Sequence, residues 1–316
     1  MAIYVLCPDH NRPSGGVRKL YRHVDVLNEH GWTASIIHQT PGFRCTWFSN
    51  ETRICYSSDV SLDPTDYLLL PEIHGPIIAD IQRGIRKVIF NQGCYLTFHG
   101  YSLAKKDDIP PYLHPDVVGV LVVSEDSRTY LQYVFPELPV FRLHYGIDPS
   151  LFSYIADKQR QIAFMPRRNR EDVRQVINAL NYRGALRHFD LAPIEDRTER
   201  ETAEILKQSL IFLSLGRAEG FGLPPAEAMA CGCIVIGFHG MGGKEYFRPD
   251  YCYPVAQGEI ISLVKAVEQA IEIAEHNPKV LEEMGRSAAS YIAREYSLER
   301  EEQDIVQFWT NIAADG

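Results

Sequence analysis

Two glutamates stand with seven residues between them in the run Glu219-Gly220-Phe221-Gly222-Leu223-Pro224-Pro225-Ala226-Glu227. Each residue type there suits the binding of one extended, polar, anionic ligand. A carboxylate accepts two O–H donors at once. Glycine lets backbone come close to a ligand. Proline fits the first turn of a helix, where a missing N–H costs nothing. Free N–H groups at a helix start, with the helix dipole behind them, favour an anion such as a diphosphate. One carboxylate precedes the turn and one lies on the helix that follows, so both can face one cleft while touching different parts of one ligand. The same glycines and prolines with two solvated acids would also make an ordinary loop; the flanking pair of glutamates separates the two readings.

A diphosphate needs cations. The chain has 32 Lys and Arg against 41 Asp and Glu, a net charge of −9. That balance argues against a general nucleic-acid binder. Yet between Lys158 and Arg187 there are eight basic residues and two acids, Glu171 and Asp172. Such an island in an acidic chain suggests a local anion site, or else a solvated helix face. Its densest part is Phe164-Met165-Pro166-Arg167-Arg168-Asn169-Arg170.

The elements that must position these groups alternate short apolar strands with amphipathic helices, the pattern of a parallel sheet covered on both faces. In the first half, strands are predicted at Ile3–Leu6, Thr33–His38, Tyr67–Leu70, Lys87–Phe90 and Val117–Val123, with a helix after Ser14-Gly15-Gly16. In the second half, strands are predicted at Ile162–Met165, Leu210–Leu215 and Ile234–Gly237. Helices are predicted at Asp172–Tyr182, Pro224–Ala230, Glu259–Ala274 and Leu298–Ile312. Turn chemistry near 144–160 divides the halves. The expected organisation is an N-terminal Rossmann-like domain over 1–150, a C-terminal one over 151–297, and a final segment, 298–316, returning to the first. In doubly wound sheets ligands bind beyond the carboxyl ends of the strands.

With its two glutamates, Gly-Phe-Gly-Leu-Pro core, following Ala228–Ile236 and downstream Gly242-Gly243, the chain resembles family 4 of the glycosyltransferases. Ser14-Gly15-Gly16 and Tyr145-Gly146-Ile147-Asp148 extend the resemblance over most of its length. The resemblance implies an α/β GT-B fold of two Rossmann-like domains facing across a cleft, and retaining transfer from a nucleoside-diphosphate sugar to a hydroxyl acceptor. On that basis Glu219 lies by the donor sugar. Phe221, Gly222 and Leu223 run along sugar and phosphates, and Glu227 holds the ribose. Arg167 grips the diphosphate, and Gly15 and Gly16 form an N-terminal loop facing it. Two positions depart from the family pattern. Where the family has a phosphate-binding lysine, Arg170 is the nearest cation, with Arg168 as competitor. Where the family has a histidine beside the sugar, Val88-Ile89-Phe90 runs into Asn91 and Gln92. Gln92 is taken as the catalytic-side replacement, with Asn91 and His99 as alternatives. His144 reads as a joint residue. Lys244 and Glu245 read either as donor neighbours or as solvated charges.

No metal or other cofactor is expected, because arginines and a helix start meet the phosphate charge and the chain has no Asp-x-Asp. The expected partners are a nucleoside-diphosphate sugar and a carbohydrate or glycolipid acceptor, with no nucleic acid. Seven cysteines without a Cys-x-x-Cys pair suit a reducing, cytoplasmic setting. No apolar run reaches a membrane span, which leaves open peripheral contact with the inner face of a membrane. Polysaccharide or glycoconjugate synthesis would be the setting. A non-catalytic nucleotide-sugar or glycan-binding subunit, or an epimerase on the same fold, is the competing reading. Base and sugar selectivity is expected in loops at Leu191–Glu195 and Gly237–Glu245.

Overall fold

A computed structural model of the chain describes residues 1–103 and 110–314, so the last two residues of the 298–316 segment lie outside the described residues. The chain divides into two compact units, Met1–Tyr145 with Glu299–Gly316, and Gly146–Leu298.

The first unit opens with β1 (Ile3–Leu6), α1 (Gly15–Glu29), β2 (Ala34–His38), β3 (Ile54–Tyr56), β4 (Tyr67–Pro71) and β5 (Arg86–Asn91). It continues with β6 (Val117–Val122), α2 (Glu125–Val134) and β7 (Val140–Arg142). All strand pairings are parallel, in the order β3-β2-β1-β4-β5-β6-β7. Strands β2 and β4 are buried at every position. A strand covered on both faces carries an apolar run rather than alternation, so these were readable. The edge strands β3 and β7 are three residues each and half-buried, too short and mixed to show a period; they were not anticipated, nor was α2.

The second unit contains β8 (Gln159–Phe164), α3 (Arg170–Tyr182), β9 (Asp190–Pro193), α4 (Glu199–Gln208), β10 (Ser209–Ser214), α5 (Leu223–Ala230) and β11 (Ile234–Gly237). It ends with β12 (Cys252–Pro254), α6 (Ile260–His276) and α7 (Pro278–Glu295). Its parallel sheet runs β12-β11-β10-β8-β9. One apolar core joins Ile162, Ile211, Leu213, Ile234 and Ile236 of the strands to Val173 and Val176 of α3 and Leu263 and Val267 of α6. Sequence periodicity missed α4 and α7. Thr198 and Glu201 form a complete capping box that starts α4, a signal that was there to be read. The segment Leu191–Glu195, expected to be a loop, lies largely in β9, because it adds a fifth strand beside β8.

The last helix, α8 (Leu298–Ala314), packs within the first unit. Ile305, Phe308, Trp309 and Ile312 form its buried stripe. The Trp309 indole N–H donates to His23 Nε2 at 2.7 Å, and its ring meets Tyr67 edge-on at 5.5 Å. Glu301, 1% exposed, accepts from Lys19 Nζ at 2.7 and 2.9 Å. His144 and its backbone N–H both meet Asp304 at 2.7 Å, a contact inside the first unit. Trp309→Ala should therefore cost about 3–5 kcal/mol of unfolding free energy, the range for emptying a fully buried aromatic site. Urea denaturation of the two proteins measures it, and a loss near zero would mean that α8 is not packed in this way.

Candidate active site

The turn after β10 is held to the turn after β11. Glu219 N–H donates to the Gly240 carbonyl at 2.8 Å, and Gly242 N–H donates to the Glu219 carbonyl at 3.1 Å. Gly242 N–H also lies 3.0 Å from the Gly240 carbonyl, so Met241 is the centre of a three-residue turn. Its φ of 71° and ψ of −68° are those of the rare γ-turn, which is strained for a residue bearing a Cβ. Strain of this kind clusters at functional sites. Gly242 has to be glycine, since a Cβ there would fall 2.0 Å from the Gly220 carbonyl oxygen.

Gly222, at φ 87°, caps the start of α5 in the left-handed region. A Cβ on it would meet the Tyr246 hydroxyl at 2.8 Å. That hydroxyl donates to the Gly222 carbonyl at 2.6 Å and lies 3.1 Å from the Phe221 carbonyl. The Phe221 ring is 2% exposed and sits 5.2 Å from Tyr246 and 5.1 Å from Tyr296. The Phe221 side chain is an anchor in an aromatic cluster, which leaves its backbone for the contact with a ligand expected of this segment. Leu223 is also buried, at the first residue of α5. The helix start is a poorer anion site than expected. Pro224 and Pro225 occupy its second and third positions, and they remove two of the N–H groups a helix normally leaves free.

The cations are therefore decisive. Arg167 and Arg168 follow the end of β8, and Arg168 Nη1 meets Glu219 Oε1 at 2.8 Å. Arg167 makes no ion pair among the described residues. It is exposed by area yet has enough protein around it that burial, then the adjacent Arg168, pull its pKa below the ordinary arginine value. An arginine remains a cation despite such a shift. Met165, Arg168, Gly216, Glu219, His239 and Gly240 are among the residues lining one pocket beyond the carboxyl ends of β8, β10 and β11. Neither Arg167 nor Arg170 is among them. Arg170 is exposed and paired with Glu195 at 2.5 Å, a pairing that a part in the phosphate grip would have to release. The rest of the basic island disperses likewise. Lys158 donates to the carbonyls of Leu206, Lys207 and Cys231, Arg174 pairs with Glu171, and Arg183 with Glu268. Asp172 is held by Arg217 at 2.7 Å.

Glu227 is 6% exposed on α5. The Glu245 carboxylate accepts from the Tyr296 hydroxyl at 2.7 Å, and Lys244 is exposed. Among the described residues no three His, Cys, Asp or Glu side chains gather as a metal ion would need.

In the N-terminal unit, α1 starts at Gly15. The Gln92 amide bridges the Gly16 carbonyl at 3.3 Å and the Tyr145 hydroxyl at 2.8 Å. Both of its ends are thus engaged within the unit, and it braces the Gly15–Gly16 turn. Asn91 is fully buried, donating to Tyr112 and Thr97, and His99 is exposed. Sequence reasoning missed Glu72, which is 4% exposed and accepts the Gln92 backbone N–H at 3.0 Å. Nothing local marks it: it is one acid after an apolar strand, buried only because β5 lies beside β4.

Residues 195–290 match the family model for Glycosyl transferases group 1. Over 96% of its length the chain is 25% identical to an alpha-1,6-glucosyltransferase of Actinobacillus pleuropneumoniae serotype 7 (strain AP76), 93% of which is covered. Among solved structures it superposes on sucrose-phosphate synthase from Thermosynechococcus elongatus with a TM-score of 0.72, at 14% identity and 100% coverage of both chains. On Anabaena HepE in complex with UDP-glucose the TM-score is 0.65, at 10% identity, covering 98% and 100%. Fold, site and matched segment together define the class: this is a glycosyltransferase of GT-B architecture. Among the described residues no helix is long and apolar enough to cross a membrane.

Burial pushes the Glu72 carboxyl up to about 7, against the pull of the N–H groups of Gln92, its own residue and Gly93. The folded chain then keeps a proton that the unfolded chain releases near 4.5. Stability from this group is complete below the unfolded value and is lost as pH rises through the folded one, on the order of 3 kcal/mol. Glu72→Gln should remove that slope. Urea melts at about pH 5 and about pH 8 should show wild type losing stability relative to the variant. Parallel pH curves would count against the buried acid.

Proposed function

We propose that this chain is a retaining glycosyltransferase that moves glucose from UDP-glucose to a carbohydrate hydroxyl, without a metal ion, in polysaccharide or glycoconjugate synthesis. The observation that carries the reading is the Arg168–Glu219 pair in the pocket beyond the ends of β8 and β10, with the charge of Arg167 near enough to feel both, Glu219 lying in the segment that matches glycosyl transferases. The glucosyl and uridyl assignments are supported by the relative named as an alpha-1,6-glucosyltransferase and by the fold neighbour in complex with UDP-glucose.

In this reading the bond from the sugar's anomeric carbon to the β-phosphate oxygen breaks. The acceptor oxygen bonds to the same face of that carbon, and the acceptor's proton goes to the departing phosphate. Arg167 meets the charge that grows on the diphosphate, and Glu219 meets the positive charge that grows on the sugar. Fixed groups of this kind lower a barrier because they need no reorganisation during the reaction. Glu227 takes the ribose hydroxyls, remote from the breaking bond. Gly222 and Leu223 offer backbone to the donor, and the Gly15–Gly16 turn, braced by Gln92, offers backbone on the acceptor side.

The two glutamates should fail differently. Glu219→Gln should leave UDP affinity nearly unchanged and slow donor consumption by about 100-fold, as loss of one transition-state contact does. Glu227→Ala should weaken UDP itself by about 1.5–3 kcal/mol. Calorimetry with UDP beside a donor-consumption assay makes the comparison; equal losses of UDP affinity would refute the division.

Turnover of UDP-glucose should also persist in excess EDTA. Complete loss, restored by Mn²⁺ or Mg²⁺, would show that a metal and not the arginines meets the phosphate charge.

A further inference from the structure

The Glu219 side chain lies in a slot with backbone on two sides. A Cβ on Gly216 would fall 2.9 Å from Glu219 Cγ and 3.0 Å from Oε1. A Cβ on Gly240 would fall 2.9 Å from the same Cγ and 3.2 Å from Glu219 Cβ. Together with the two backbone hydrogen bonds at Glu219, this fixes the stem but leaves the carboxylate free to rotate about its last bond. The third restraint is Arg168 Nη1, 2.8 Å from Oε1. Arg168 is itself held at its root by a turn, its N–H donating to the Met165 carbonyl at 3.1 Å. Its Nε is buried with no hydrogen-bond partner, so that edge of the guanidinium does not set its direction. Among the described residues Glu219 is the acid it meets.

We propose that Arg168 is the positioning residue for Glu219, aiming the carboxylate at the sugar while Arg167 alone holds the diphosphate. The proposal rests on the functional reading above. A cation against Glu219 cannot strengthen the carboxylate's field, since it offsets part of it. What Arg168 supplies is direction, and it keeps Glu219 from pairing with Arg167, the cation the phosphates need. The sequence departs from the resembled family's arginine-and-lysine pair, and the neighbouring guanidinium serves the carboxylate instead of the phosphates.

The test is a double-mutant cycle on the full chain, with UDP-glucose consumption and UDP calorimetry as the two readouts. Arg168→Met should lower kcat by about 10- to 100-fold and leave the UDP Kd within about twofold. Arg167→Ala, in contrast, should weaken UDP. Arg168→Lys keeps the charge within reach of Glu219 and should recover most of kcat. In the cycle, Arg168→Met with Glu219→Gln should be no slower than Glu219→Gln alone, because both changes remove one unit. If the methionine variant fails to fold, the lysine variant carries the same cycle: with Glu219→Gln it should add no loss. UDP affinity lost at Arg168 as at Arg167, with kcat kept, would overturn the proposal and make Arg168 a phosphate ligand. Multiplying losses in the cycle would overturn it too. A wild-type chain that binds UDP yet consumes no nucleotide sugar would overturn the functional reading, and this assignment with it.

Discussion

The two backbone hydrogen bonds that clasp Glu219 between Gly240 and Gly242 are the constraint on which the candidate site of the second unit depends. They bring the turn after β10 against the turn after β11, two segments that two parallel strands would otherwise release into solvent. Several residue choices follow from that clasp. Glycine is required at 242 because backbone packs where a side chain would begin, and at 216 and 240 because the Glu219 stem lies there. Met241 is left at positive φ, a cost of order 1–3 kcal/mol that the surrounding packing must hold in place. Tyr246 closes the far side, its hydroxyl seated against the Gly222 and Phe221 carbonyls.

Four glutamates in this chain differ in their surroundings. Glu219 is partly exposed and already paired with an arginine, so it stands ready as a charge at a pocket. Glu227 is buried on the helix that the clasp positions. Glu72 is buried beneath the turn that carries Gln92, with backbone donors that only partly offset its burial. Glu301, by contrast, is buried and fully met by Lys19. A pair of this kind gains little over an apolar contact but is costly to break, because the partner left behind is an unpaired buried charge. It therefore specifies where α8 sits in the N-terminal unit more than it adds to stability.

The arginines show how charge count and charge use diverge. Eight basic residues in one stretch suggested a shared anion site, yet most are engaged one by one with nearby acids or carbonyls. Arg167 is left without an ion pair among the described residues, beside an Arg168 already turned to Glu219. The prolines at the α5 start make the cations matter more, since a helix that begins with two missing N–H groups cannot do the work of a phosphate cradle unaided.

The amino-acid sequence by itself determined the two sheets, their buried strands and the turn that carries Glu219. Those features are written in local terms: runs of apolar residues at strand length, glycines at forced turns, and prolines at a helix start. It also marked Leu298–Ile312 as a helix. Only the tertiary structure decided which way individual side chains turn. Phe221 turns into an aromatic cluster because Tyr246 and Tyr296, distant in sequence, arrive beside it. Arg170 turns to Glu195 because β9 pairs with β8. Gln92 turns to Gly16 and Tyr145, and Glu72 is buried at all, because β4 and β5 are neighbours. A residue's type and spacing fix what it can do. Its direction is set by which strands lie side by side, and that is a property of the whole sheet and not of any window of sequence.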